Sequence, residues 1–493
     1  MRHLIKNLAL AAALVLACAA QATTPPTVTL VYVSNLPDID SSPGLAEVAG
    51  LLQTLRSEGK EVLLLHGGDS LAPSTLASFD RGAHMIALLN ELDPLAMAAA
   101  KREFAFGEDQ LTLRSYEAAF PIVINNLLDP LTSENLAGLT DRAEVQVGDR
   151  RLCATASVSL ELREAYMPRR VQALDPVEAT RRTAKDLRDS GCDIVVALFG
   201  SVDPDQESLL ERGLVDLLIS AESHADQGVK PSGEGAWVTL KATEATAVVA
   251  EISLGKSAPC AVCPTQLIPL GTAPTDATML ARLDSYRKKL AEILAMPVGV
   301  TDTALDTRRS AVRTGESAFG NLVADALRDF IDADVALLNS GGIRGNRQYP
   351  ANSVLTRGDI QSELPFRNRV VRLELTGSQL RAALENGLAG YEDQTGAFPQ
   401  ISGMTVRFNP TNPVGQRVLE VRIGGRPLRD DQRYSLATLD FLARGGDGYQ
   451  ALAGATPLRS SLNALLWESV RSYIGTRGRV APRIDGRLIH VQP

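Results

Sequence analysis

Short apolar runs of strand-like composition alternate with segments of helical periodicity along most of this 493-residue chain. Residues 28–34, 61–65 and 193–198 are rich in Val, Leu and Ile, which is typical of buried strands. Residues 44–58 instead place Leu or Val every three or four positions, as an amphipathic helix requires. This alternation favours an α/β fold whose strands are mostly buried.

One segment divides the chain. Residues 275–295 carry an apolar residue every three or four positions, and Pro297 follows them. We interpret 271–296 as a linking helix between a first domain at 27–270 and a second α/β domain at 297–490.

The second domain has its own strand and helix signals. Its sequence predicts a helix over 317–330, strands over 334–338 and 370–375, and a helix over 378–388 with Ser378 as its N-cap. These elements make the second domain α/β as well.

The N-terminus has the pattern of a secretory signal. Arg2 and Lys6 precede an apolar stretch at 8–20, and Ala20-Gln21-Ala22 fits a cleavage site. We expect residues 1–22 to be removed after Ala22, which predicts a secreted, periplasmic protein. A lipoprotein with Cys18 as the lipidated residue is the alternative, and the bulky Leu16 disfavours it.

Charge and hydropathy exclude further classes of protein. The formal net charge is −8, which argues against a nucleic-acid partner or a basic membrane-surface protein. No later apolar run reaches the roughly 20 residues that a membrane span needs.

Four cysteines follow the predicted signal: Cys153, Cys192, Cys260 and Cys263. An oxidising compartment permits disulfides, and four cysteines allow three pairings. Cys260 and Cys263 could also form a redox pair or half of a zinc site, but no second CxxC accompanies them. A structural disulfide is the simplest interpretation.

Several segments have specific sequences in a fixed order. In the second domain these are Arg309-Ser310-Ala311-Val312-Arg313, Asn339-Ser340-Gly341-Gly342-Ile343-Arg344, Leu364-Pro365-Phe366-Arg367-Asn368 and Asp440-Phe441-Leu442-Ala443-Arg444-Gly445-Gly446-Asp447-Gly448-Tyr449. In the first domain they are Gly68-Asp69-Ser70-Leu71 and Glu103-Phe104-Ala105-Phe106-Gly107. Together they resemble the 5'-nucleotidase and UDP-sugar hydrolase family. The resemblance implies a calcineurin-like metallophosphatase sandwich followed by a 5'-nucleotidase C-terminal domain.

For the second domain, the resemblance implies a nucleotide pocket. A phosphate suits forked arginine donors, a flat base suits an aromatic slot, and a ribose diol suits a carboxylate acceptor. The residues implied are Arg309, Arg313 and Arg344 for phosphate, Phe366 and Phe441 for the base faces, Asn368 and Asn339 for the base edge, and Asp447 for the ribose. All eight are present with the family's local spacing.

For the first domain, the resemblance implies a two-metal phosphatase site that this chain has largely lost. Only Asp69 and His224 keep a metal-ligating residue type. The replaced positions hold Asn35, Pro37, Lys101, Gly200 and Glu222, and those of the assisting catalytic pair hold Arg102 and Ala105. Two cations thus stand where the family holds dications, and their charge would oppose metal binding. The chain has five histidines, too few for the family's ligand set and catalytic His once His3 leaves with the signal.

Two alternatives remain open for this first-domain site. Asp69, Glu222 and His224, with His66 or Asp38, could form a rebuilt site for one Zn, Mn or Co ion. Lys101 and Arg102 could instead bind phosphate or sulfate directly, or form a salt-bridged patch with Glu103 or Glu222.

The sequence therefore supports two main hypotheses. The first is a nucleotide- or nucleoside-binding protein that has lost two-metal hydrolysis and needs no cofactor. The second is an active phosphohydrolase with a rebuilt metal site. A structural subunit that partners an active relative is a weaker third, and the sequence identifies no protein partner.

Overall fold

The computed structural model describes residues 27–162, 170–222, 224–232, 235–254, 262–458 and 464–491. The chain falls into two compact units that divide between Lys288 and Lys289. The division lies inside a long helix, Ala277–Ala295, at the position of the predicted linking helix. The predicted signal at 1–22 lies outside the described residues, and the domain limits given above stay predictions.

Most strands of the first unit lie in two main sheets, and two short strands, Leu127–Leu128 and Gln172–Ala173, pair with each other in a small third sheet. In chain order they are β1 (Thr27–Val33), β2 (Val62–His66), β3 (Ala96–Ala98), β4 (Ile122–Val123), β5 (Leu127–Leu128), β6 (Ala143–Val147), β7 (Arg150–Ser157), β8 (Gln172–Ala173), β9 (Ile194–Phe199), β10 (Leu217–Glu222), β11 (Gly228–Ser232), β12 (Gly235–Lys241), β13 (Thr246–Ser253) and β14 (Val262–Pro269). One sheet has the order β14-β13-β1-β2-β3-β4, and the other has the order β11-β12-β10-β9-β7-β6. The stretches β1-β2-β3-β4 and β12-β10-β9-β7 are parallel.

Helices connect these strands. They are α1 (Leu45–Ser57), α2 (Ala77–Asp80), α3 (Ala83–Leu92), α4 (Glu108–Glu117), α5 (Pro176–Asp189), α6 (Glu207–Glu211) and α7 (Ala277–Ala295). No helix within the described residues is both long and apolar enough to cross a lipid bilayer.

The first unit is a sandwich whose buried core takes side chains from both main sheets. Alternate residues of β9 point to opposite faces of its sheet. Ile194, Val196 and Leu198 join a buried cluster that takes side chains from both sheets. Val195 and Ala197 join a second buried cluster that includes Val177, Ala184 and Leu187 of α5. Because both faces of β9 are covered, its sequence is continuously apolar.

A disulfide joins Cys153 of β7 to Cys192, just before β9, with a Cα–Cα distance of 6.1 Å. This bond belongs to one of the three connectivities that four cysteines allow. Cys260 and the side chain of Cys263 lie outside the described residues, so their state stays a prediction.

The second unit is also built of sheets and helices. Its strands are β15 (Pro297–Thr301), β16 (Leu305–Asp306), β17 (Val335–Asn339), β18 (Gln348–Tyr349), β19 (Ser353–Thr356), β20 (Val370–Thr376), β21 (Pro399–Ser402), β22 (Met404–Phe408), β23 (Val418–Ile423), β24 (Arg426–Pro427), β25 (Arg433–Leu439), β26 (Thr456–Leu458), β27 (Arg479–Val480) and β28 (Leu488–His490). Its helices are α8 (Arg309–Val312), α9 (Ala318–Ile331), α10 (Arg357–Glu363), α11 (Gly377–Leu388), α12 (Asp440–Ala443), α13 (Gln450–Ala453) and α14 (Leu466–Arg477). The sheets have the orders β21-β17-β25-β20-β26, β24-β23-β22-β28, β19-β15-β27 and β16-β18.

The N-cap predicted for α11 is wrong. Helix α11 begins at Gly377, and its N-cap is Thr376, whose hydroxyl accepts from the backbone N–H of Gln379 at 3.3 Å. The side chain of Gln379 accepts in return from the N–H of Thr376 at 2.9 Å. This reciprocal pair satisfies two free N–H groups, whereas Ser378 could satisfy only one.

Candidate functional site

A cavity of about 380 Å³ lies in the first unit, at the carboxyl ends of parallel strands from both sheets. The loops after β1, β2 and β3 meet there with those after β7, β9 and β10, an edge where α/β proteins commonly bind ligands. The following predicted site positions line it: Asn35, Asp69, Lys101, Arg102, Gly200, Glu222 and His224. The fold therefore brings together residues that are nearly 190 positions apart in the chain.

Asp69 is fixed by a tight turn after β2. Gly68, at φ 81°, precedes it, and a Cβ at Gly68 would lie only 2.4 Å from the carbonyl oxygen of Ala98. The buried carboxylate of Glu103 accepts hydrogen bonds from the N–H groups of Asp69 and Ser70, both at 2.8 Å, and of Leu71 at 3.2 Å. These three hydrogen bonds to Glu103 therefore fix the conformation of the turn.

The two cations that replace groups of the family's site, Lys101 and Arg102, have polar partners of their own. The guanidinium of Arg102 donates to the side-chain oxygen of Asn35, and its backbone N–H donates to Asp69 Oδ1 at 2.9 Å. Lys101 Nζ donates to Glu161 Oε2 at 2.7 Å. Lys101 thus pairs with a nearby carboxylate, as one alternative expected, but this carboxylate is Glu161 and not Glu103 or Glu222. Glu103 is turned toward the backbone amides, and Glu222 accepts from the N–H of Val202 at 2.9 Å.

These residues do not fit a divalent metal site. Within the part of the chain that the structure describes, the one group of three His, Cys, Asp or Glu side chains with ligand atoms within 4.8 Å of one another is Glu144, Cys153 and Cys192. Both cysteines of that group are in the disulfide. In the cavity, a metal would instead meet the positive charges of Lys101 and Arg102.

The two residues suggested as additional metal ligands lie elsewhere. His66 is fully buried, where its Nδ1 accepts from the N–H of Gly68 at 3.0 Å and its Nε2 lies 3.2 Å from Ser70 Oγ. Asp38 Oδ1 accepts from the N–H of Asp40 at 3.0 Å. Neither residue lines the cavity.

Burial perturbs the ionisation of groups beneath the cavity. Burial, with the charge of Asp69, raises the pKa of Glu103 to about 7 against the pull of three backbone N–H groups. Burial lowers the pKa of His66 to about 4, which keeps the imidazole neutral. Burial also raises the pKa of Tyr32 to about 12. Ala105, at the family's other catalytic position, is buried in the 3₁₀ turn Lys101–Phe106 and has no ionisable group.

In the second unit, three predicted phosphate-binding arginines lie close together. Burial lowers the pKa of Arg313, and the positive charges of Arg309 and Arg344 lower it further. Arg313 Nη1 donates to the carbonyl oxygen of Gln394 at 3.2 Å, but its buried Nε has no partner among the described residues. Such a cluster of cations with an unused donor is suited to an anionic ligand.

Asn339 and Asp447 lie beside these arginines. Asn339 Nδ2 donates to Asp447 Oδ2 at 2.6 Å, while the buried Asn339 Oδ1 has no partner within the described chain. The charge of Asp447 acts on Arg313 and opposes the lowering of its pKa. Asp447 adopts a left-handed backbone at φ 51° in the loop after α12.

The two predicted base-stacking rings are partly exposed. Phe366 is 44% exposed and Phe441 is 36% exposed, which leaves ring surface available to a ligand. The guanidinium carbon of Arg344 lies 5.0 Å from the ring centre of Phe366, so a predicted phosphate residue touches a predicted base residue. The backbone oxygen of Asn368 accepts from the N–H of Leu466 at 3.0 Å, and its side chain is half-buried.

Sequence reasoning missed three residues at these sites. Glu161, the partner of Lys101, lies 60 positions away, and Gln394 lies 81 positions from Arg313. The third is the fully buried Glu363, beside the Leu364-Pro365-Phe366 segment. In the sequence, Glu363 is an acidic residue at the end of a helical segment and next to Leu364. That pattern is weak evidence for a functional site.

The chain is similar to known proteins. Residues 297–454 match the family described as 5'-nucleotidase, C-terminal domain. The trifunctional nucleotide phosphoesterase protein YfkN of Bacillus subtilis is 35% identical over 219 residues, which cover 42% of this chain but 15% of that protein. The human 5'-nucleotidase is 26% identical over 490 residues, which cover 90% of this chain and 85% of that protein.

The fold is similar to that of solved structures. The crystal structure of a 5'-nucleotidase precursor from Thermus thermophilus matches with a TM-score of 0.54 and 24% identity, covering 95% of this chain and all of that one. The predicted fold class, a metallophosphatase-like sandwich followed by a 5'-nucleotidase C-terminal domain, is thereby confirmed. Residues 297–454 thus form a 5'-nucleotidase C-terminal domain, and most of the chain is similar in sequence to 5'-nucleotidases.

Proposed function

We propose that this protein binds a 5'-nucleotide or nucleoside through its second unit and has lost the two-metal hydrolysis of its family. The observation that carries the binding is the cluster of Arg309, Arg313 and Arg344. Their charges repel one another, and the buried Nε of Arg313 has no hydrogen-bond partner in the described part of the chain. A phosphate among them would relieve the repulsion and accept from that donor.

The ring and carboxylate groups support the same ligand. Phe366 and Phe441 offer exposed aromatic surface for a base, and Asn368 offers an amide for the base edge. Asp447 could accept from ribose hydroxyls, and Asn339 Oδ1, which has no partner among the described residues, could accept from a donor of the ligand. These roles rest on residue chemistry and on the motif positions.

The loss of hydrolysis rests on the first unit. Arg102 and Lys101 bring positive charge into the cavity that would have to hold two dications, and Arg102 is bonded to Asn35. Ala105 offers no group for proton transfer. The single His224 and Asp69 are too few for a metal pair that activates water.

We further propose that the protein is exported. The disulfide between Cys153 and Cys192 supports this, because such bonds persist in oxidising compartments. The N-terminal pattern at 1–22 supports cleavage after Ala22 and a periplasmic location.

The alternative is an active nucleotide phosphohydrolase with a rebuilt metal site. One observation favours it: Asp69, Glu222 and His224 line the same cavity. The discriminating experiment measures phosphate release from a panel of 5'-nucleotides and UDP-sugars with added Mn²⁺, Co²⁺ or Zn²⁺. The Asp69→Ala, His224→Ala double variant controls for contaminating phosphatases.

Our proposal predicts no release above that double variant, together with saturable nucleotide binding in the presence of a chelator. Release that the double variant abolishes would overturn the loss of hydrolysis. Absence of binding by any nucleotide or nucleoside would overturn the binding function and would favour a subunit that partners an active relative.

A further inference from the structure

A fully buried carboxylate contacts the segments that carry two arginines of the cluster in the second unit. Glu363 is the last residue of α10 and has no exposed surface. A buried charge is costly unless hydrogen bonds satisfy it. Its Oε1 accepts from Tyr349 OH at 2.9 Å, from Thr307 Oγ1 at 3.1 Å and from Arg347 Nε at 3.4 Å. Its Oε2 accepts from the N–H of Gly345 at 3.0 Å.

These donors come from two separate segments, each adjoining a predicted phosphate residue. Thr307 lies two positions before Arg309, and Gly345 directly follows Arg344. The backbone oxygen of Glu363 also accepts from the N–H of Arg344, at 2.8 Å. Glu363 is therefore hydrogen-bonded to both segments, through its two carboxylate oxygens and its backbone oxygen.

The two segments are also bonded to each other around Glu363. The N–H of Arg347 donates to Thr307 Oγ1 at 3.0 Å, and the N–H of Arg309 donates to Asn346 Oδ1 at 3.1 Å. The close approach needs a glycine, because a Cβ at Gly345 would lie 2.0 Å from Glu363 Oε1. Glu363 thus fixes the backbone from which Arg309 and Arg344 extend.

We propose that Glu363 is a positioning residue that sets the spacing of Arg309 and Arg344 and so makes the site selective for phosphorylated ligands over nucleosides. The proposal rests on the proposed nucleotide binding. Arginine side chains of like charge repel one another. If their backbones are fixed before the ligand binds, the entropic cost of binding a phosphate between them is lower. The ring of Phe441 and the carboxylate of Asp447 lie on a different segment from Glu363, whereas the ring of Phe366 lies three positions after it. We therefore expect nucleoside contacts to depend less on Glu363 than phosphate contacts do.

The test compares the affinities of adenosine and uridine 5'-monophosphates with those of adenosine and uridine, measured by calorimetric titration in chelator. In Glu363→Gln, the new NH₂ group faces donors and leaves at least one without an acceptor. We expect the Kd of the monophosphates to rise about tenfold, and the Kd of the nucleosides to change less than about twofold.

Two further variants complete the experiment. Tyr349→Phe removes one hydrogen bond to Glu363 without an opposing donor, and should raise the monophosphate Kd about threefold in a folded protein. Glu385→Gln is the matched control, because Glu385 also accepts from backbone N–H groups, those of Arg417 at 3.0 Å and Val418 at 2.7 Å. It should lower stability and leave the ratio of the two affinities unchanged.

The outcomes separate this inference from the function on which it rests. If the wild-type protein binds neither ligand class, the proposed function fails. If it binds both, and Glu363→Gln and Tyr349→Phe weaken both classes equally or neither, then Glu363 is only structural and the inference is overturned. A selective loss of monophosphate affinity supports it.

Discussion

The guanidinium of Arg102 donates a hydrogen bond to the side-chain oxygen of Asn35 across the cavity of the first unit. These residues occupy two positions where the family resemblance places groups of the metal site. An arginine that is hydrogen-bonded to an asparagine thus lies where the resemblance implies a catalytic His and a ligating carboxylate. The contact gives a physical reason to expect weak metal affinity, since a dication would have to displace or face Arg102.

Removing this arrangement should restore metal affinity. In the Asn35→Asp, Lys101→Ala, Arg102→Ala variant, we expect Mn²⁺ to raise the melting temperature in a concentration-dependent manner, because a ligand of the folded state stabilises it. The wild-type protein should show no such shift. A further Asp69→Ala substitution should abolish the shift in the variant. A Mn²⁺-dependent shift in the wild-type protein would contradict the charge argument.

Arg344 should contribute strongly to phosphate binding. Arg344→Ala removes a guanidinium that adjoins both Arg313 and the ring of Phe366, and we expect the Kd for a 5'-monophosphate to rise about 10- to 100-fold. The neighbouring Arg308, which pairs with Asp306 at 2.6 Å, provides the matched control. Arg308→Ala should change the Kd less than about twofold. Equal effects of the two substitutions would indicate a general charge effect instead of a site.

The two partly exposed rings should bind the base at little cost to stability. Phe366→Ala and Phe441→Ala should each lower nucleoside affinity by about 1–3 kcal/mol, the usual contribution of stacking a base on an aromatic ring. Leu419→Ala is the control, because Leu419 is 47% exposed in the same unit and has no predicted role. Unchanged nucleoside binding in both phenylalanine variants would refute the base slot.

Two buried groups should give opposing pH dependences of stability. Burial raises the pKa of Glu103 from 4.5 to about 7, so the folded state retains a proton that the unfolded state releases. Its contribution to stability is complete below pH 4.5 and is lost as the pH rises to about 7. Burial lowers the pKa of His66 from 6.5 to about 4. Its contribution is complete above pH 6.5 and is lost as the pH falls towards 4.

The two pH dependences of the free energy of unfolding should cancel in the wild-type protein between about pH 4.5 and 6.5. Each should become visible when the other group is removed by substitution. In Glu103→Gln the free energy of unfolding should rise with pH, and in His66→Asn it should fall, each by at most about 1.4 kcal/mol per pH unit. Urea unfolding at several pH values measures both slopes. Slopes of the same sign in the two variants would show that one assignment is wrong.

The disulfide should stabilise the first unit. Cys153 and Cys192 are separated by 39 positions, and joining them restricts the unfolded chain. We expect the Cys153→Ala, Cys192→Ala variant to lose about 2–4 kcal/mol of unfolding free energy in chemical denaturation. A reductant should destabilise the wild-type protein by a similar amount and leave the variant unaffected. A variant as stable as the oxidised wild-type protein would contradict this expectation.

Much of the fold could be predicted from sequence because its signals are local. The strand predicted at 193–198 is observed at Ile194–Phe199, and the helix predicted at 317–330 is observed at Ala318–Ile331. The N-cap of α11 was predicted incorrectly because Thr376 and Ser378 are both good capping residues. Only the reciprocal bond with Gln379 distinguishes them.

The sequence by itself determined which chemical groups are available: positive charge at Lys101 and Arg102, no acid at Ala105, and the arginines and rings of the second unit. The tertiary structure decided their partners. Asn35 lies 67 positions from Arg102, and Thr307 lies 56 positions from Glu363. Residue type is a property of one position and can be read directly. Contacts over such distances depend on strand order and loop path, which no local pattern contains.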